Sequence, residues 1–170
     1  MTPPIKLNVG CGNKCLDGYV NIDVAQRDGK QPDIEADIRD LPLDENYADE
    51  LMAIHVIEHF YEWEVNDVIQ EWKRVLKPGG KIILECPDLI KATLGIINHV
   101  SLGVPISARM SMWALYGDPS HKDPLMCHRW AYTPHTLAQK LAENGFTDIK
   151  HEEAVYHWPQ RDMRLTGVKP

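Results

Sequence analysis

The chain has 170 residues, 44% hydrophobic and 25% charged, which is the length of one domain and the composition of an ordinary globular protein. A net charge of −7 and the lack of any Lys/Arg-rich run argue against a nucleic-acid partner, because phosphate contacts supply most of such affinity. No apolar run has the length of a membrane span and the first residues do not read as a signal peptide, so the expected location is cytoplasmic.

Residues 5–9 alternate, are rich in β-formers and run into Gly10-Cys11-Gly12, which predicts a strand ending in a glycine turn. Residues 19–24, 33–36 and 49–54 are the next strand candidates. Val65, Val68, Ile69, Trp72, Val75 and Leu76 fall on one face at helical spacing. Pro78-Gly79-Gly80 stops that helix, and 81–86 follows as a buried strand. Two further helices are expected over 89–99 and 106–115, then a loop rich in Pro, His and Asp. Thr133 as N-cap with Pro134 behind it opens another helix, closed by Gly145. Residues 149–154 and 163–168 read as two closing strands.

Strands alternating with helices predict an α/β, Rossmann-like fold, a mostly parallel sheet of about seven strands with helices on both faces. Residues 1–170 form a single domain in this reading, and 88–132 is an insertion that covers the substrate. Ligands in such sheets sit beyond the carboxyl ends of the strands. Only residues 13–18 separate Gly12 from the second strand, too few for a helix of the usual eleven or so residues. The first crossover is therefore shortened to a loop or a single turn.

Glycines at 10 and 12 let a ligand approach the backbone, although an ordinary tight turn uses the same residues. Asp23, at the end of the second strand, can accept both hydroxyls of a ribose, or serve as a solvated strand-end carboxylate. Asp37, just after the third strand, can accept an adenine amino group beside the backbone of Ile38. The four cysteines, Cys11, Cys15, Cys86 and Cys127, have no zinc-knuckle spacing and read as reduced thiols.

Taken in order, Leu7-Asn8-Val9-Gly10-Cys11-Gly12, Asp23, Asp37 and Arg74-Val75-Leu76-Lys77-Pro78-Gly79-Gly80 resemble class I S-adenosylmethionine-dependent methyltransferases. With His55-Val56-Ile57-Glu58-His59-Phe60 added, the chain is similar to small methyltransferases associated with surface-polysaccharide synthesis. The resemblance implies S-adenosyl-L-methionine as cofactor and a small-molecule or sugar acceptor. It makes Asn8 and Cys11 cofactor-binding residues and places Gly10 and Gly12 beside the methionine part, Asp23 on the ribose, Asp37 and Ile38 on the adenine, and His55 at the methionine end.

His55-Val56-Ile57-Glu58-His59 also matches the His-Xaa-Xaa-Glu-His zinc-peptidase pattern, in which the two histidines share a helical face. The motif follows a strand, so zinc hydrolysis ranks below methyl transfer and no metal is expected. A noncatalytic module that binds an adenosine ligand is the other alternative. Methyl transfer needs alignment and sometimes a base for the acceptor proton. His128 is the first candidate base, with His59 and Asp88 after it. Trp113, Tyr116 and Trp130 are candidates for a substrate wall.

Overall fold

The computed structural model describes residues 3–103 and 111–170. Its seven strands are β1 (Lys6–Val9), β2 (Val20–Asp23), β3 (Ile34–Glu35), β4 (Ala48–Ile54), β5 (Leu76–Pro87), β6 (Thr147–Glu153) and β7 (Asp162–Val168). They form one sheet in the order β3-β2-β1-β4-β5-β7-β6. The first five pair in parallel, and β7 runs antiparallel to both β5 and β6. β1 lies inside the sheet between β2 and β4, so its carboxyl end opens at the switch in strand order where such sheets hold their ligands.

Among the described residues there are four α-helices, α1 (Val65–Val75), α2 (Leu89–Leu102), α3 (Met112–Tyr116) and α4 (Pro134–Glu143). α1 buries Val65, Val68, Ile69, Trp72 and Val75, the stripe its spacing predicts. It stops where Leu76 turns extended, two residues before Pro78. Pro78-Gly79-Gly80 is not a separate stop, because those residues already belong to β5. α4 opens on a reciprocal capping box between Thr133 and Thr136, with Pro134 at its first position. α2 runs three residues past its expected end and closes on Gly103, whose φ of +65° is the left-handed conformation of a helix stop. Of the helix expected over 106–115, residues 106–110 lie outside the described residues. α3 accounts for its last part.

Strand register sorts the side chains onto two faces. Leu7, Leu51, Ile82 and Gly167 are in line, as are Leu84 with Leu165 and Cys86 with Met163. The side chains of this row join Trp72 of α1 and Leu137 and Leu141 of α4 in one core. The alternate row holds Asn21, Asn8, Met52, Ile83 and Thr166. The crossovers from β1 to β2 and from β2 to β3 are loops, as the short spacing after Gly12 requires for the first of them. Loop segments near 14–19 and 155–157 reach the second row instead. Asn8 Nδ2 donates to Lys14 O at 2.9 Å, and Glu85 accepts from the backbone N–H groups of Val155, Tyr156 and His157.

Candidate active site

A cavity of about 810 Å³ opens at the carboxyl ends of β1, β2 and β4. That is within the size range of small-molecule sites. One wall comes from Gly10, Cys11, Gly12, Asp23, Asp37 and Ile38, at or just beyond strand ends. The opposite wall comes from His59, Tyr61, His121, Asp123, Met126 and Arg129.

The glycine turn is bolted to β2, because Gly10 and Cys11 both donate to Ile22 O, at 2.8 and 3.1 Å. Its two glycines have different reasons. A Cβ on Gly10 would come within 2.6 Å of Val56 Cγ2, so packing excludes a side chain there. A Cβ on Gly12 would meet nothing within 4 Å and would enter open space. Both residues have positive φ, at +66° and +55°. Gly12 is thus the position where bare backbone faces a prospective ligand.

Asp23 is buried, and its Oδ2 accepts from Gly12 N at 2.8 Å. Its other oxygen lies 3.9 Å from Arg27 Nε, and Arg27 in turn pairs with Asp123 at 3.1 Å. This chain of charges ties the 118–126 loop to the end of β2 across the cavity. Asp37 is clasped by the Arg39 guanidinium at 2.7 Å, and that hydrogen bond holds its carboxyl below the usual range. The backbone of Ile38 is pinned from below, where its carbonyl accepts from Trp72 Nε1 at 2.9 Å. Burial pushes the Cys11 thiol up to about 12, so it lines the cavity as a neutral group.

His55 directly follows β4 with a φ of +55°, an unusual conformation for a side-chain-bearing residue. Its N–H donates to Glu85 O at 2.7 Å. The turn that follows, Ile57–His59, is a short 3₁₀ helix, so His55 and His59 do not share an α-helical face. The zinc-peptidase arrangement is therefore not formed. His59 instead turns Nδ1 toward Cys127 O, 3.2 Å away. A carbonyl only accepts, so Nδ1 carries the hydrogen and Nε2 keeps a lone pair. Burial holds the His59 imidazole below its usual value.

Glu58 lies beneath this turn, 2% exposed. Its carbonyl accepts from Arg129 N and Trp130 N, which fastens the 128–130 segment to the turn and sets His128 beside the Glu58 carboxylate. Burial of the Glu58 carboxyl works against ionisation, but His55 at 2.9 Å outweighs it and brings the carboxyl down to about 2.

Three of the residues expected at the site are placed elsewhere. Asn8 is buried under the turn, bonding Lys14 O and Asn21 Oδ1, and does not line the cavity. Asp88 is the N-cap of α2, accepting from Ile90 N at 2.9 Å, so its carboxylate serves the helix end. His128 stands behind His59, ring against ring at 4.8 Å, and is absent from the cavity lining. Trp113 and Tyr116 border a second cavity of about 610 Å³ beside the first, whereas Trp130 lines neither.

Sequence reading missed Lys14, Arg27, His157 and Asp162. Lys14 donates to His157 Nε2, and both line the main cavity. Asp162 is fully buried, held by Arg161 and Trp158 N, with His55 Nε2 3.6 Å away. Their only signal in the sequence is the polarity of an otherwise apolar strand border, as at Arg161-Asp162 before β7.

Residues 14–84 match the family model described as a methyltransferase domain. That segment is less than half of the chain, and over it the chain is similar to methyltransferase domains. The open backbone at Gly12 with carboxylates at Asp23 and Asp37 suits S-adenosyl-L-methionine, the cofactor that such a domain indicates. No curated protein matches the chain. Among solved structures, a SAM-dependent methyltransferase from Archaeoglobus fulgidus superposes with a TM-score of 0.65 at 17% identity, covering 98% of this chain and 86% of the other. The 1,6-didemethyltoxoflavin-N1-methyltransferase of Burkholderia thailandensis, solved with S-adenosylhomocysteine, gives 0.66 at 12% identity, covering 98% and 71%. The PH0226 protein of Pyrococcus horikoshii gives 0.66 at 20%, covering 99% and 83%. At these identities the likeness of the chain to its neighbours is one of fold.

Proposed function

We propose that this chain is a methyltransferase acting on a small-molecule or sugar acceptor seated between the strand ends and the 118–130 segment. The observation that carries the reading is the two-sided cavity, with nucleoside-type groups on one wall and His59, His121 and Arg129 on the other. Asp23 accepts the ribose hydroxyls. Asp37 and the backbone of Ile38 meet the adenine, Gly10, Cys11 and Gly12 pass beside the methionine part, and His55 closes that end. When bound, the cofactor supplies an electrophilic methyl carbon on sulfur.

The base assignment moves from His128 to His59, because His59 reaches the cavity. Its Nε2 lone pair would take the proton of the acceptor hydroxyl or amine, while the bound cofactor would supply the methyl group. Its depressed basicity keeps it neutral and ready at physiological pH.

Calorimetry with S-adenosylhomocysteine tests the binding half. Asp23→Asn preserves the acceptor facing Gly12 N but removes the charge, and should weaken binding by about 1.5–3 kcal/mol, the range for a hydrogen bond to a charged group. Unchanged affinity in a folded variant removes Asp23 from the ribose role.

A further inference from the structure

We propose that His55, Glu58 and His128 form a binding site for one divalent first-row transition cation, next to the methyl-transfer cavity. One donor atom from each of these residues lies within 4.8 Å of the others. Four-coordinate zinc with bonds of about 2.1 Å separates its ligands by roughly 3.4 Å. His55 Nδ1 and Glu58 Oε1 are 2.9 Å apart, and His128 Nε2 and Glu58 Oε1 are 3.8 Å apart, on either side of that value.

The hydrogen bonds at the site leave a place for positive charge. Neither carboxylate oxygen of Glu58 has a hydrogen-bond partner, although the residue is almost wholly buried. His55 Nδ1 is near enough but misses the direction a hydrogen bond needs. The nearest countercharge in the metal-free protein is the His55 imidazolium, and a bound cation would replace that charge as the His55 Nδ1 proton leaves to solvent. His128 adds to the demand. Its Nδ1 lies 3.0 Å from Ala114 O, which accepts the ring hydrogen and leaves Nε2 as a lone pair facing Glu58. Nε2 of His128 faces Glu58 Oε1 at 3.8 Å, and in the neutral ring a cation between them would be ligated by both.

The surroundings match those of metal-bound histidines. Such imidazoles direct their other nitrogen at a carbonyl or carboxylate. His128 directs it at Ala114 O, whereas His55 Nε2 stands 3.6 Å from Asp162 Oδ2, just beyond hydrogen-bond reach. The backbone bonds from Arg129 and Trp130 to Glu58 O hold the two halves of the site together before any ion arrives. A second grouping, His55 with His157 and Asp162, lacks this demand. There Lys14 already donates to His157, and Arg161 and Trp158 N occupy Asp162.

Two imidazoles and one carboxylate favour ions of the Mn²⁺ to Zn²⁺ series over Mg²⁺. Because His55 also lines the cavity, an ion there is placed to take an oxygen of the acceptor. That role rests on the methyl-transfer reading, whereas the site itself does not.

The test is calorimetry on full-length, tag-free, chelator-stripped protein titrated separately with ZnCl₂, MnCl₂ and MgCl₂. One Zn²⁺ per chain is expected, with Mg²⁺ far weaker. Glu58→Gln and His128→Ala should each lower Zn²⁺ affinity at least tenfold, and His157→Gln should leave the stoichiometry at one. Co²⁺ should give visible d–d absorption that His128→Ala abolishes. If Glu58→Gln fails to fold, His128→Ala decides alone. Absence of Zn²⁺ binding, or binding indifferent to His128→Ala, overturns the site. S-adenosylhomocysteine titration of the stripped protein is a separate reading, so the loss of one proposal leaves the other standing.

Discussion

At the scale of single residues, the two glycines of the first turn separate packing from ligand access. Gly10→Ala forces a methyl into Val56 at 2.6 Å in a left-handed backbone. Overpacking and backbone strain together should cost about 2–4 kcal/mol, read by urea unfolding. Gly12→Ala meets no protein atom within 4 Å, so it should lose only about 1 kcal/mol of stability. Its methyl should instead weaken S-adenosylhomocysteine binding in calorimetry. Equal stability losses in the two variants would show that Gly12 is also a packing residue. The turn was legible from its sequence, but the division of labour was not, because Val56 is 46 positions away and no local pattern announces its approach. The same limit applies to Asn8, Asp88 and His128. Each is polar, at a plausible distance along the chain from the site, and each is turned by the fold toward a backbone partner.

At the scale of elements, α1 is both a core helix and a support for the cavity. Its apolar spacing made it readable, as did the caps of α4, because burial on one helical face writes a period into the sequence. What the spacing did not disclose is that Trp72 reaches 34 residues back to bond Ile38 O. Trp72→Phe removes that bond and leaves a space in a fully buried site. A loss of about 2–3 kcal/mol in urea unfolding is expected, combining a hydrogen bond with a partial cavity. Freed of its tie, the backbone at Asp37-Ile38 should also bind S-adenosylhomocysteine less tightly. If affinity is unchanged, Ile38 is held by the core alone. The 3₁₀ turn Ile57–His59 was the hardest element to foresee, since its five-residue motif suits a helix equally well and only backbone geometry separates the two.

At the scale of the whole molecule, stability should vary with pH through two histidines that share a ring contact at 4.0 Å. His157 is held down to about 3, first by burial and then by the neighbouring His55, Lys14 and Arg161, with Asp162 opposing. Its unfolded value is about 6.5. Between those values the unfolded chain binds the proton and the folded one refuses it, so stability falls as pH drops below about 6.5. His55 behaves in the opposite sense. Burial lowers it, but Glu58 and Asp162 outweigh burial and raise it to about 9. The folded state then holds a proton that the unfolded chain releases, and stability falls as pH rises from about 6.5 toward 9. The metal-free protein should therefore be most stable near pH 6.5, by urea unfolding in the presence of chelator. His157→Gln should flatten the acid limb and leave the alkaline one, and His55→Gln should do the reverse. An acid limb still beginning near pH 6.5 in His157→Gln would remove His157 from it, and carboxylates such as Asp162, held near 2, would not explain it, since they release their stabilisation only below the ordinary carboxyl range. The two limbs meet in one ring pair because β4 and the loop before β7 converge at the carboxyl edge of the sheet. Acid and base sensitivity therefore centre on the cavity at the strand ends and leave the apolar core out.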